Sequence, residues 1–116
     1  MKTLLILNDP AYGTERSYNG LRLAGALAKR DDSEVRVFLI GDAVTCAMAD
    51  QKVPDGYYHL DRMIESAARH GAEIGCCGAC MDARGIGDDH LTKGPRRSTL
   101  DELTDWTLWA DKVVTF

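Results

Sequence analysis

The chain has 116 residues, with 14 Lys and Arg against 18 Asp and Glu, giving a formal net charge of −4. A length of this kind implies one domain, residues 1–116, able to bury its own core. A composition of 45% hydrophobic and 28% charged residues excludes intrinsic disorder. The mildly acidic balance, without a Lys/Arg run, gives no electrostatic footprint for direct nucleic-acid or anionic-membrane binding.

Residues 3–7 form an aliphatic run of strand length, closed by Asn8-Asp9-Pro10, and predict a strand covered on both faces. From Thr14, the expected N-cap, to Lys29 the period becomes helical, with Tyr18, Leu21, Ala24 and Ala28 on one side. The intervening loop, residues 8–15, precedes a helix N-terminus able to receive an anion. It lacks Gly-x-Gly-x-x-Gly and Gly-x-x-x-x-Gly-Lys-Ser/Thr, so no nucleotide motif is present. Tyr12 in this loop is a packing residue or an auxiliary site residue.

Residues 34–40 predict a second strand, followed by a short helix over 43–50 with Asp42 as its cap. Residues 53–58 read as a loop. Residues 59–70 are helical, with Leu60, Met63, Ile64, Ala67 and Ala68 at core spacing and Gly71 as the stop. A third strand is expected over 72–76, a helical turn over 81–85 and a loop over 85–97, in which Lys93, Arg96 and Arg97 form a solvated basic cluster. The capping box Thr99-Leu100-Asp101-Glu102 opens a last helix to Ala110, and residues 111–116 predict a fourth strand. Trp106 and Trp109 on that helix read as core or subunit contact.

Alternating strands and helices define an α/β architecture with a mostly parallel sheet. Ligands of such sheets sit at the carboxyl ends of strands, which brings together residues 8–14, 41–46 and 76–85, with the chain's end near Phe116. The N-terminal run is shorter than a signal-peptide core, no stretch is long enough to span a membrane, and the cytoplasm is the expected compartment.

The four cysteines are Cys46, Cys76, Cys77 and Cys80, too bunched for a disulfide framework. Cys77-Gly78-Ala79-Cys80 is a Cys-x-x-Cys directly after a strand and at a helix N-terminus, where N–H groups and the helix dipole favour a thiolate. Arg84 would add positive charge and Asp82 would oppose it. Other readings of the cluster stay open. It could be a set of small buried hydrophobes, a zinc site completed by His90, His70 or Cys46, or a thioredoxin-like dithiol. His59 and His70 lie at helix ends; His90, after the cysteines, is the histidine to test as a proton donor.

These residues resemble the DsrE/DsrF-like family, in particular its small single-domain YchN-like branch. The resemblance is carried by Asn8-Asp9-Pro10-Ala11-Tyr12-Gly13-Thr14-Glu15, by Leu21-Arg22-Leu23-Ala24 and by Val37-Phe38-Leu39-Ile40-Gly41-Asp42-Ala43-Val44. It continues through Cys77-Gly78-Ala79-Cys80-Met81-Asp82-Ala83-Arg84-Gly85-Ile86 to Leu103-Thr104-Asp105-Trp106-Thr107-Leu108 and Ala110-Asp111-Lys112-Val113-Val114-Thr115-Phe116. It implies a three-layer α/β fold with helices on both faces of the sheet, assembly into homotrimers or homohexamers, and sulfur handling inside the cell. Relatives pass sulfur between proteins as a cysteine persulfide, in sulfur oxidation or in tRNA thiolation. Aligned on Arg84-Gly85, the family's sulfur-carrying cysteine falls at Cys77, with Cys80 as the second sulfur and Cys76 as an adjacent thiol. The expected function is thus a sulfur relay between donor and acceptor proteins, with no cofactor or metal. The alternatives are a dithiol/disulfide oxidoreductase using Cys77 and Cys80, or a small-ligand or metal-binding module.

Overall fold

A computed structural model describes all of residues 1–116. In chain order its elements begin with strand β1 (Lys2–Leu7), helix α1 (Arg16–Ala28), strand β2 (Glu34–Leu39), a 3₁₀ segment (Gly41–Ala47) and helix α2 (Leu60–Arg69). Strand β3 (Glu73–Cys77), short helix α3 (Gly78–Ala83), a 3₁₀ turn (Asp88–His90), strand β4 (Arg96–Ser98), helix α4 (Leu100–Trp109) and strand β5 (Lys112–Thr115) complete the chain. The five strands form one sheet in the order β4-β3-β2-β1-β5, and every pair in it is parallel.

This winding fixes the layers. The chain moves outward from β1 to β4, then crosses back over the sheet to set β5 against β1. Right-handed crossovers place the helices of the outward run on one face, and the reversal sends α4 to the other. Side chains alternate to match. Leu5, Leu7, Val37, Leu39, Ile74 and Cys76 join a core with Leu21 and Ala24 of α1 and Leu60 and Ile64 of α2. Leu4 and Phe38 point the other way and pack with Trp106 of α4. Phe38 and Trp106 meet edge to face, with ring centroids 6.1 Å apart at 88°. Gly75 of β3 makes room for that indole: a Cβ there would lie 3.2 Å from Trp106 Cη2 and 3.1 Å from Ser98 Cβ.

The α/β class and the layering agree with the sequence reading, and several local expectations are corrected. There are five strands rather than four, because β4 lies inside the expected loop. Its Arg-Arg-Ser sequence carries no strand signal. Pairing with β3 holds it, and Arg96 donates to both carboxylate oxygens of Glu102, at 2.5 and 2.9 Å. Arg96 and Arg97 are thus internally paired instead of freely solvated. Glu102 also accepts from the Ser98 hydroxyl at 2.5 Å, so only half of the expected capping box forms: Thr99 Oγ1 accepts the Glu102 N–H at 3.1 Å.

Glu15 rather than Thr14 occupies the N-cap position of α1, although Thr14 Oγ1 accepts the Arg16 N–H at 3.3 Å; the Thr14 hydroxyl donates to Asp9 at 2.5 Å. The expected helix over 43–50 is a 3₁₀ segment that ends at Ala47. Gln51 Nε2 donates to the carbonyls of Cys46 and Met48, both at 3.0 Å, and so satisfies groups that a longer helix would have used. Phe116 packs against the main core, and its carbonyl accepts from the Asn8 N–H at 3.0 Å. It therefore fills the crevice between β1 and β5 where the winding reverses, and the thiol-bearing edge lies two strands away at β3.

Candidate thiol site at the carboxyl end of β3

One residue of register separates the cysteines. The expected strand ended at Cys76, whereas β3 runs through Cys77. Ile74 and Cys76 share parity and enter the main core; Gly75 and Cys77 face the other side. Cys76 has no exposed surface, and burial pushes its thiol up to about 12. Cys46 is equally enclosed, its thiol pushed up to about 11 by burial, and its Sγ faces the Asp9 carbonyl at 3.7 Å. Both are protonated, shielded thiols at neutral pH.

Cys77 and Cys80 are partly buried, and their sulfurs lie 2.7 Å apart. At that separation the two sulfurs are in direct contact. Cys77 caps α3 with its sulfur, which accepts the Cys80 N–H at 3.4 Å. Cys80 Sγ in turn accepts the N–H of Gly41 at 3.2 Å, at the turn that follows β2. Gly41 has φ of +59°, a conformation natural to glycine, and it aims its N–H across to α3.

The expectation of a depressed Cys77 pKa is corrected. Burial raises the Cys77 thiol above the ordinary value of 9.0 and the adjacent Cys80 side chain raises it further, against the lowering pull of the Cys80 and Ala79 N–H groups. The six residues of α3 supply too little N–H and dipole stabilisation to win.

Arg84 does not reach the sulfurs. Its Nε and Nη2 donate to Asp42 Oδ1 at 3.0 and 2.7 Å, and its Nη1 donates to the Cys80 carbonyl at 3.0 Å. Asp42 is therefore the anchor for Arg84, not a helix cap. Asp82, expected to oppose Arg84, pairs with Arg97 at 3.1 Å. Arg97 also holds Asp88 at 2.7 Å and donates to the Gly78 carbonyl at 3.2 Å, tying β4 to the start of α3. Beside Cys77 opens a cleft of about 360 Å³, lined by Gly78, Ala79, Asp82, Arg97, Ser98, Thr99 and Leu100.

Tyr12 stands apart from this dithiol. Its hydroxyl donates to Gln51 at 2.5 Å and accepts the Leu60 N–H at 3.3 Å, and its ring lies 5.9 Å from that of Tyr58. His90 folds back on its own turn, with Nδ1 accepting the Gly87 N–H at 2.8 Å. His70 Nδ1 contacts the Ser66 carbonyl at 2.8 Å. No three Cys, His, Asp or Glu side chains converge closely enough to hold a metal, so the zinc alternative has no ligand set.

The model of the DsrE/DsrF-like family matches residues 1–116. The chain belongs to the DsrE/DsrF-like family. Protein YchN of Escherichia coli K12 is 40% identical over 116 residues, covering 99% of this chain and 98% of YchN. The crystal structure of the E. coli YchN protein superposes with a TM-score of 0.93 at 39% identity, over 100% of this chain and 99% of that one. The sulfurtransferase TusD of Salmonella typhi is 27% identical over 128 residues, covering all of both chains.

In this DsrE/DsrF-like chain, sequence reasoning identified the Cys-x-x-Cys and its strand-to-helix setting. It missed the donor Gly41, the Asp42–Arg84 pair and the role of Arg97. Gly41 left a signal, a glycine directly after a strand, but its partner lies 39 residues away. Arg97 left none, because its purpose depends on the pairing of β4 with β3.

Proposed function

We propose that this chain is a sulfur-relay protein that carries a persulfide on Cys77 between a donor and an acceptor protein, with Cys80 as the second sulfur. The observation that carries the reading is the contrast within one small edge. Two contiguous, accessible sulfurs each receive a backbone N–H, while Cys46 and Cys76 are sealed in the core. The relationship to TusD, a protein named as a sulfurtransferase, supports the same class.

The chemistry balances without a cofactor. The Cys77 sulfur attacks the outer sulfur of a donor persulfide, R–S–SH, and its proton passes to Cys80 in its thiolate form, 2.7 Å away. The S–S bond of the donor breaks, R–S⁻ leaves, and Cys77–S–SH forms. An acceptor thiolate then takes the outer sulfur and returns Cys77. Access to Cys77 runs through the cleft beside Ser98, Thr99 and Leu100. The close sulfur pair also favours a second reading, a dithiol oxidoreductase in which Cys77 and Cys80 close a disulfide.

Intact-mass measurement after exposure to a persulfide-loaded cysteine desulfurase and gel filtration separates the readings. The relay reading expects one added sulfur atom in the wild type and in Cys80→Ser, and none in Cys77→Ser. A sulfur gained by Cys77→Ser refutes the carrier assignment. A wild type that loses two hydrogen atoms while Cys80→Ser gains no sulfur favours the dithiol reading, and no change at all indicates a binding module.

The chain is further proposed to act as one DsrE-like domain in the cytoplasm, without direct nucleic-acid contact, as a homotrimer or homohexamer. No helix is long and apolar enough to cross a membrane. Leu100 and Leu108 of α4 are 72% and 82% exposed, and this surface supports association. Light scattering that returns the mass of one chain would reject assembly.

A further inference from the structure

The contacts of Arg84 do not suit a group that supplies charge to a sulfur. Its guanidinium instead bridges two segments distant in sequence: Asp42 in the 3₁₀ segment after β2, and the carbonyl of Cys80 on α3. Between those two anchors lies the Gly41 N–H, directed at Cys80 Sγ. One side chain therefore fixes both ends of a hydrogen bond that it does not itself make. The bond matters because an N–H aimed at sulfur stabilises the negative form selectively.

We propose that Arg84 and Asp42 are positioning residues: they clamp the 3₁₀ segment onto α3 so that Gly41 N–H holds Cys80 Sγ as the proton acceptor of the pair. Cys80 then takes the proton when Cys77 attacks a donor. The same stabilised sulfur governs loss of cargo. When Cys80–S⁻ attacks the inner sulfur of Cys77–S–SH, a Cys77–Cys80 bond forms, the bond to the outer sulfur breaks, and HS⁻ leaves with the electron pair. No outside oxidant is needed. This consequence rests on the relay reading, whereas the clamp itself concerns thiol reactivity alone.

The pair is suited to a clean test, since the Asp42 side chain is 61% exposed and that of Arg84 32%, a setting in which ion pairs contribute little to folding. In a Cys77→Ser background, Cys80 is the only accessible thiol, and its alkylation by iodoacetamide is followed by peptide mapping across pH. Adding Arg84→Gln or Asp42→Asn is expected to slow Cys80 alkylation at neutral pH about three- to tenfold and to move the rate curve to higher pH. Arg84→Lys, which keeps the charge but not the forked donors, should recover part of the loss. Circular dichroism confirms which variants are folded, and Asp42→Asn decides if Arg84→Gln is not. An unchanged curve in a folded variant overturns the clamp, and so does faster alkylation. No sulfur donor enters the assay, so its failure is distinct from failure of the relay reading.

Discussion

Trp106→Ala tests the reasoning about the α4 face most directly. Trp106 is 4% exposed and is the one fully buried residue of α4, so the indole is the main apolar attachment of that helix to the sheet. A buried Trp side chain removes about 150–250 Å² from water. At about 25 cal/mol/Å² that corresponds to about 4–6 kcal/mol. Measured Trp→Ala changes in cores cluster at about 3–5 kcal/mol. The upper part of that range is expected here, because Gly75 beneath the ring has no side chain with which to refill the space. The guanidinium groups of Arg36 and Arg96, 5.4 and 5.8 Å from the ring centroid, also lose their aromatic partner. For a chain of this size the loss lowers the thermal midpoint by about 15–20 °C, a large share of a typical total stability of about 5–15 kcal/mol. Urea unfolding followed by far-UV circular dichroism, at two protein concentrations, gives the change. Trp109→Ala is the control, since Trp109 is only partly buried beneath Arg36 at 4.0 Å. A Trp106→Ala cost below about 1.5 kcal/mol, or equal costs for the two tryptophans, would refute the assignment of Trp106 as the anchor of that layer.

Gly75→Ala should cost about 1–3 kcal/mol by pressing its methyl against Ser98 and Trp106, read by the same urea transition; a neutral result would show that β4 and α4 yield freely. The sealed thiols predict an alkaline limb of instability. Cys46 and Cys76 stay protonated in the folded chain up to about 11 and about 12, against an ordinary 9.0, so the unfolded chain gives up these protons first. Their contribution is therefore complete below pH 9 and lost as pH rises through the folded values, about 2 kcal/mol from each by about pH 10.5. Urea midpoints at about pH 8 and about pH 10.5 should show a fall that Cys76→Ala halves in its thiol share, and an identical pH dependence in that variant would sink the argument.

The parts of the fold that were legible in the sequence are those set by local chemistry. The aliphatic run of β1, the periodicity of α1 and α2 and the Thr99 cap of α4 all depend on neighbours in the chain, and all appear where the pattern puts them. What escaped depends on partners far away. Strand β4 has three residues and no β-propensity, and it exists because β3 offers a ladder and Glu102 a counter-charge. Asp42 looks like a cap by position, yet its carboxylate is claimed by Arg84, 42 residues on. The pKa of Cys77 was misjudged for a related reason. A helix N-terminus is visible in sequence, but the burial and second sulfur that outweigh it are properties of the assembled edge.

The register of β3 shows how a local rule could have gone further. Once Ile74 is accepted as core, parity alone sends Cys76 inward with it and Cys77 to the opposite face, so the adjacent thiol does not compete. That parity also places the pair at the seam of the two layers. Cys77 packs against both the main core and the Phe38–Trp106 cluster, whereas Cys80 packs against the main core alone. The cleft over Gly78, Ser98 and Leu100 therefore opens onto Cys77 on the α4 side, while Cys80 is held on the other by Gly41. In this asymmetry the two sulfurs of a symmetric-looking motif acquire different surroundings: one faces the open cleft, the other is held by the scaffold.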